Sequence, residues 1–235
     1  MKEKIGAVVL AAGRGSRMKS DVQKQYLTLA GYPLGYYCLA VLDKTVDEIV
    51  LVCAPGDEIF CYDTLVRPYG FQKVKTVTAG GKERYHSVYE GLKCLPDCDY
   101  VLIQDSARPC LTEQIVKRCI EGARRYGACV AAVPSKDTIK EVSPEGYAIR
   151  TPDRRKLWII QTPQAFSRSL VMDAYTRMME EDDGNLAVTD DAMAVERWSS
   201  HRVYMVEGAY ENIKVTTPED LDVAQLYLGK MGKGQ

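Results

Sequence analysis

The sequence predicts an α/β fold on a mostly parallel sheet, and three observations point to it. Residues 5–10 are an almost unbroken apolar run of the kind a parallel sheet buries on both faces. Comparable short runs recur at 48–54, 100–104 and 128–133, with helix-like stretches between them. The chain has 235 residues, enough for one sizeable domain and short for two. The expectation is therefore a single Rossmann-like three-layer domain over residues 1–235.

Composition narrows what such a domain does. Thirty-one basic and 32 acidic side chains leave a formal charge of −1, so no general nucleic-acid or membrane surface is indicated and any anion site must be local. The eight cysteines form no C-x-x-C pair, and only His86 and His201 could join them around zinc. They read as free, mostly buried thiols of a reducing compartment. No apolar run approaches the roughly 18 residues of a membrane span, and the first residues do not read as a signal peptide. A cytoplasmic protein is expected.

The first strand runs directly into Ala11-Ala12-Gly13-Arg14-Gly15-Ser16-Arg17, with Lys24 shortly after. Ala11, Ala12, Gly13 and Gly15 have little or no side chain, so a nucleotide can lie against the backbone and its phosphates can reach amides. Arg17 and Lys24 bring cations to the same strand end, the edge where open α/β sheets bind ligands. A dinucleotide fingerprint would need a third glycine where Met18 stands and a carboxylate after the second strand, which instead ends Cys53-Ala54-Pro55. A P-loop would need Gly-x-x-x-x-Gly-Lys-Ser/Thr, which is absent. A basic glycine loop acting on a triphosphate remains, beside the plainer reading of a surface loop with incidental charges.

Residues 33–43 read as a helix, 48–54 as a buried strand, and Pro55-Gly56-Asp57 as a turn opening a second helix. Residues 73–79 alternate as an edge strand would and end in Gly80-Gly81, before a helix over 83–92. That glycine pair is either a second place where a base approaches backbone or a simple strand-to-helix turn. The strand over 100–104 leads to Asp105-Ser106-Ala107-Arg108-Pro109 on the ligand edge. There an aspartate can hold a sugar hydroxyl and an arginine a phosphate, or the two can form a local ion pair. Thr112 is placed to cap a helix reaching Tyr126, and 128–133 returns as a buried strand.

Residues 136–157 behave differently. Two alternating segments flank Ser143-Pro144-Glu145-Gly146, a hairpin signal too polar to fill a core. It reads as a projecting β-hairpin arm, and because an isolated hairpin is marginal in water, packing on a second copy of the chain is the economical expectation. A surface ornament is the alternative. Residues 158–164 then form a strand entering a helix near Ser167. Thr189 reads as an N-cap with Asp190 and Asp191 in the first helical turn, which helix-start electrostatics explains more simply than a metal pair. Lys214 falls in a short strand over 212–215, and Thr217-Pro218-Glu219-Asp220 opens the last helix.

The stretch Leu10-Ala-Ala-Gly-Arg-Gly-Ser-Arg-Met18 with Lys24-Gln25-Tyr26 resembles the signature loop of the sugar nucleotidyltransferases. With Asp105-Ser-Ala-Arg-Pro109, Gln161-Thr-Pro-Gln164 and Asn212-Ile-Lys-Val-Thr-Thr-Pro-Glu-Asp-Leu221, the chain resembles the 2-C-methyl-D-erythritol 4-phosphate cytidylyltransferase family from about residue 5 to residue 228. The resemblance implies that Gly81, Lys82 and Ser87 line a cytosine and ribose pocket together with Ala107. It implies that Asp105, Arg108, Thr162 and Lys214 face the acceptor, and that Thr138 and Arg154 are carried by the arm to a partner's site in a homodimer. The chain departs from the family's usual pattern at Gln23, Lys82 and Gln104.

The reaction so implied joins a sugar-alcohol phosphate to the α-phosphorus of CTP with release of pyrophosphate. A phosphate monoester near neutral pH is close to a dianion, its second pKa being about 6, so no dedicated base is needed. Arg17, Lys24 and Lys214 are the expected cations, with Mg²⁺ held by nucleotide oxygens and water rather than by direct protein ligands. Ribitol 5-phosphate is the rival acceptor; Ala11-Ala12-Gly13 and Asp153-Arg-Arg-Lys-Leu-Trp158 favour methylerythritol phosphate. A nicotinamide-dependent oxidoreductase and a noncatalytic nucleotide-binding protein are the rivals from other classes.

Overall fold

The computed structural model describes residues 3–13, 18, 22–95, 97–182 and 187–232. In chain order the elements are β1 (Ile5–Ala11), β2 (Thr28–Leu29), β3 (Tyr32–Pro33), α1 (Leu34–Thr45), β4 (Glu48–Cys53), α2 (Glu58–Leu65), β5 (Val74–Ala79) and α3 (Arg84–Cys94). There follow β6 (Tyr100–Asp105), α4 (Glu113–Tyr126), β7 (Ala128–Pro134), β8 (Glu141–Val142), β9 (Ala148–Arg150), β10 (Trp158–Ser167), α5 (Arg168–Glu180), α6 (Asp191–Ser199), β11 (Tyr204–Glu207) and α7 (Pro218–Met231).

Among the described residues, seven strands form the central sheet in the order β11-β7-β10-β6-β1-β4-β5. β1 lies between β4 and β6, parallel to both, because its side chains are apolar on both faces. Ala7 and Val9 point to one core with Leu39 and Leu42 of α1, Leu65 of α2 and Val116 of α4. Val8 points to the other, with Val88 and Leu92 of α3, Tyr175 of α5 and Val195 of α6. That alternation produces the expected three layers. β5 is the outer strand the alternating pattern predicted, and β10 runs antiparallel to both β6 and β7, which makes the sheet mixed.

Helix ends follow local chemistry. The Thr112 side chain accepts a hydrogen bond from the Ile115 amide at the start of α4, and Gly127 ends it at φ 75°. Thr217 and Asp220 form a capping box with Pro218 in the first turn of α7, as the sequence predicted. Gly91 lets α3 approach β1 closely, since an added Cβ would lie 2.9 Å from Val52 Cγ2 and closer still to Val8. The C-terminal half of α3 is thereby seated closely on β1 and β4.

Three local expectations need correction. Asp190, not Thr189, caps α6, its carboxylate accepting from the Met193 amide at 3.0 Å. Residues 212–216 form no strand; they are irregular, held by the Val215 amide donating to the Ala107 carbonyl at 2.8 Å. β11, four residues pairing parallel to β7, was not anticipated. The arm is present as an antiparallel hairpin of β8 and β9, and its Val142, Tyr147 and Ile149 are exposed.

Candidate active site

Two clefts open at the carboxyl ends of the parallel strands, the position the topology assigns to ligands. The larger, about 780 Å³, is bounded by Ala12 and Gly13 after β1, the glycine turn after β5, the start of α3 and the end of β6. Its size suits a nucleotide. The smaller, about 430 Å³, lies toward β10 and α6. Arg84, Asp105 and Lys214 line both.

The larger cleft assembles most of the residues expected of a nucleotide pocket. Ala12, Gly13, Lys24, Gly81, Lys82, Ser87, Ala107 and Lys214 line it, and Ala11 lies just behind, buried at the end of β1. The Gln25 side chain donates to the Ala11 carbonyl and so ties the short helical turn at Lys24–Tyr26 to the strand end. Lys24 Nζ donates to the Val215 carbonyl at 3.2 Å, which brings Lys24 and Lys214 to neighbouring parts of one wall. Opposite them, a Cβ on Gly80 would come within 2.5 Å of Ser87 Oγ and 3.0 Å of Ala12 Cβ, so only glycine fits. Ser87 Oγ accepts from the Gly81 amide at 3.2 Å, which makes it a fastener of the turn as well as part of the lining. Gly15 and Arg17 lie outside the described residues.

Asp105 ends β6 at the junction of the clefts, 7% exposed. Its amide donates to Thr162 Oγ1 at 3.1 Å, while its carboxylate lies 2.7 Å from Lys214 Nζ and 3.4 Å from Arg84 Nε. Burial pushes the carboxyl up, but Arg84, then Lys214 and Arg108, more than offset it and hold the group well below the usual carboxylate range. Asp105 is therefore ionised throughout the neutral range. The local ion pair that the sequence allowed between Asp105 and Arg108 is replaced by pairs with Arg84 and Lys214.

Arg108, 8% exposed, lines the smaller cleft, where it donates to the Asn212 carbonyl at 2.7 Å and the Ile160 carbonyl at 3.4 Å. Among the described residues its Nε has no hydrogen-bond partner. Asn212 in turn donates to the Thr162 carbonyl at 2.9 Å, so Arg108, Asn212 and Thr162 form one buried polar group behind Asp105. Thr138 and Arg154, by contrast, stand exposed in the arm region away from both clefts; Arg154 donates to the Lys136 carbonyl at 2.8 Å.

Arg84 is the residue that sequence reasoning missed. Its guanidinium grips Asp191 through two 2.8 Å hydrogen bonds, and Asp191, fully buried, also accepts from Tyr175 OH at 2.6 Å. Asp191 is thus an internal counter-ion rather than a helix-start surface charge. A signal was available, because a cation in the first turn of a helix opposes the helix dipole and calls for a carboxylate partner. Among the described residues no group of three or more His, Cys, Asp or Glu is arranged to hold a metal.

The model of the 2-C-methyl-D-erythritol 4-phosphate cytidylyltransferase (IspD) family matches residues 5–230. Curated relatives of that name include one from Lachnospira eligens, 45% identical over 94% of this chain and 98% of its own, and one from Clostridium kluyveri, 43% identical over 93% and 94%. Among solved structures, a 4-diphosphocytidyl-2C-methyl-D-erythritol synthase from Anaerococcus prevotii superposes with a TM-score of 0.83 at 33% identity, covering 97% of this chain and 96% of its own. The Thermus thermophilus cytidylyltransferase gives 0.75 at 28%, covering 96% and 98%. A nucleotide-sized cleft joined to a second one through a shared Asp105-Lys214 pair, and this near-full-length similarity, lead to one conclusion: the chain belongs to the 2-C-methyl-D-erythritol 4-phosphate cytidylyltransferase family, a family of nucleotidyltransferase enzymes.

Proposed function

We propose that the chain transfers the cytidylyl group of CTP to 2-C-methyl-D-erythritol 4-phosphate. The products are 4-diphosphocytidyl-2-C-methyl-D-erythritol and pyrophosphate, a step toward isoprenoid precursors by the non-mevalonate route. The observation that carries this reading is the meeting of two clefts at Arg84, Asp105 and Lys214. A donor in the larger and an acceptor in the smaller would present their phosphates to each other at that junction.

In this reading the turn around Ala12 and Gly13 and the turn around Gly81, Lys82 and Ser87 hold the nucleoside, with Ala107 beneath it. Lys24, Lys214 and Arg17 hold the triphosphate. Asp105 takes a hydroxyl of the acceptor, while Arg108 and Thr162 bound the acceptor cleft. An acceptor phosphate oxygen attacks the α-phosphorus, a new P–O bond forms, the α–β bridging bond breaks and pyrophosphate carries the electron pair away. No group needs to take a proton from the dianion; the protein supplies alignment and positive charge where anionic groups are forced together. Mg²⁺ is a hard cation that keeps water and phosphate oxygens as ligands, and when bound it screens the triphosphate charge. Among the described residues, Asp105 and Glu83 are the carboxylates along the larger cleft, which fits a metal carried by the nucleotide.

The same reading makes the protein a cytoplasmic homodimer. The arm exposes Val142, Tyr147 and Ile149, with Trp158 and Ile159 at its return, more apolar side chain than a solvated hairpin needs. Packed on a partner, it would deliver Thr138 and Arg154 to the partner's acceptor cleft. All eight cysteines are free, and no described helix is long and apolar enough to cross a membrane. The test is pyrophosphate release from CTP and Mg²⁺ with methylerythritol phosphate and ribitol 5-phosphate supplied separately. Turnover with the first alone supports the reading; turnover only with the second overturns the acceptor assignment, and none with either overturns the reaction.

A further inference from the structure

Of the three cations that act on Asp105, Arg84 and Lys214 are the two in salt-bridge contact with it, and they have opposite mechanical character. Lys214 reaches it at the end of a flexible four-carbon stem, its side chain 39% exposed to the junction. Arg84 does not share that freedom. Two parallel 2.8 Å hydrogen bonds fix its fork on Asp191, which the Tyr175 hydroxyl holds from the other side. Asp105 is also fixed, its amide on Thr162 and its flanking strand paired with β1 and β10. Of the Asp105-Lys214 pair, only the lysine can move far.

Without a second partner, that pair would be self-defeating. A lysine drawn toward incoming phosphates would strand a nearly buried carboxylate, and the penalty of an uncompensated buried charge would pull it back. Arg84 offers a way out, since its Nε lies 3.4 Å from Asp105 while its fork is held by Asp191 and not by Lys214. We propose that Arg84, anchored by Asp191, is a positioning residue that remains as the counter-ion of Asp105 when Lys214 turns to the phosphates. It acts through Lys214 rather than on substrate. The inference rests on the cytidylyltransferase reading and assigns a role in it to an ion pair that its two-cleft geometry leaves unexplained.

A double-mutant cycle tests it. Arg84→Gln combined with Asp191→Asn removes both members of the buried pair and leaves neither charge alone, which protects folding. Introduced into the otherwise native chain, the combination should lower kcat about 10²-fold, because Lys214 is then retained by Asp105. Introduced into an Asp105→Asn chain, where Lys214 has no carboxylate to leave, it should cost less than about threefold further. Calorimetric affinity for CTP with Mg²⁺ gives a second cycle that does not depend on turnover. It should weaken about tenfold in the first background and hold within about threefold in the second. Equal losses in both backgrounds, in turnover or in affinity, would overturn the role of Arg84 while leaving the reaction intact. A native chain that releases no pyrophosphate would overturn both.

Discussion

Lys214 Nζ lies 2.7 Å from Asp105 Oδ2, 109 positions apart in the chain by their numbers, at the one wall that two clefts share. A lysine from an irregular segment near the C-terminus is thus set beside a carboxylate at the end of a central strand. Both belong to the junction where donor and acceptor phosphates would meet.

Replacing Lys24 or Lys214 by alanine should act mainly on turnover. Removing one preorganised charge contact costs about 10²–10³ in kcat in comparable sites. Lys24→Ala and Lys214→Ala should each lose at least that much, with CTP affinity falling less. Steady-state kinetics beside calorimetric titration separates the two quantities, and a near-normal turnover number would remove the lysine from the catalytic set. Arg17→Ala should behave alike.

Asp105 predicts a pH signature in stability. Its folded-state carboxyl is held below the unfolded value, near 3.9, by Arg84, Lys214 and Arg108 acting against burial. A group depressed in this way contributes stability that is fully present above the unfolded value and is lost as pH falls through the folded one. Asp105→Asn should therefore lower the thermal midpoint at pH 7, with the gap to the native chain closing in strong acid. Melting curves from pH 7 to below pH 3 would show whether it does; a constant gap would mean that the carboxylate charge is not what stabilises.

Gly91→Ala should disturb packing without touching the site. Its Cβ would press on Val8 and Val52 in a close-packed layer, and overpacking of this kind costs about 1–3 kcal/mol. Chemical denaturation should show that loss with an unchanged m-value.

The arm predicts complementation between subunits. If Arg154 serves the partner's cleft, an Arg154→Ala chain and an Arg17→Ala chain, each weak alone, should recover activity when mixed, because one of the two mixed sites has both arginines. Mixing followed by assay against each parent measures the effect. No recovery in a demonstrated mixed dimer would place Arg154 outside the shared site.

What the sequence made legible follows from how far each feature reaches along the chain. β1, β4 and β6 are buried on both faces, so their apolar runs announce them, whereas β11 is short, carries exposed Tyr204 and Glu207, and has no such run. The phosphate-loop motif and the glycine turn are local, and of their described residues Ala12, Gly13, Gly80, Gly81 and Lys82 line the larger cleft. The grip of Arg84 on Asp191 spans 107 positions and has no local pattern beyond a cation at a helix start. The run Thr189-Asp190-Asp191 offers three adjacent capping candidates, and only the fold decides that Asp190 caps while Asp191 turns inward to Arg84 and Tyr175. Residues 213–215 look strand-like because Ile213 and Val215 flank Lys214, yet among the described residues they pair with no strand.

The central claim is that an acceptor phosphate in one cleft attacks the α-phosphorus of CTP in the other. Its most direct test uses methylerythritol phosphate carrying ¹⁸O in its three non-bridging phosphate oxygens, with CTP and Mg²⁺, and the mass of each product. The account predicts that all three labels appear in the cytidine diphosphate product and none in pyrophosphate. Label in the pyrophosphate, or hydrolysis of CTP with the labelled acceptor unchanged, would contradict it.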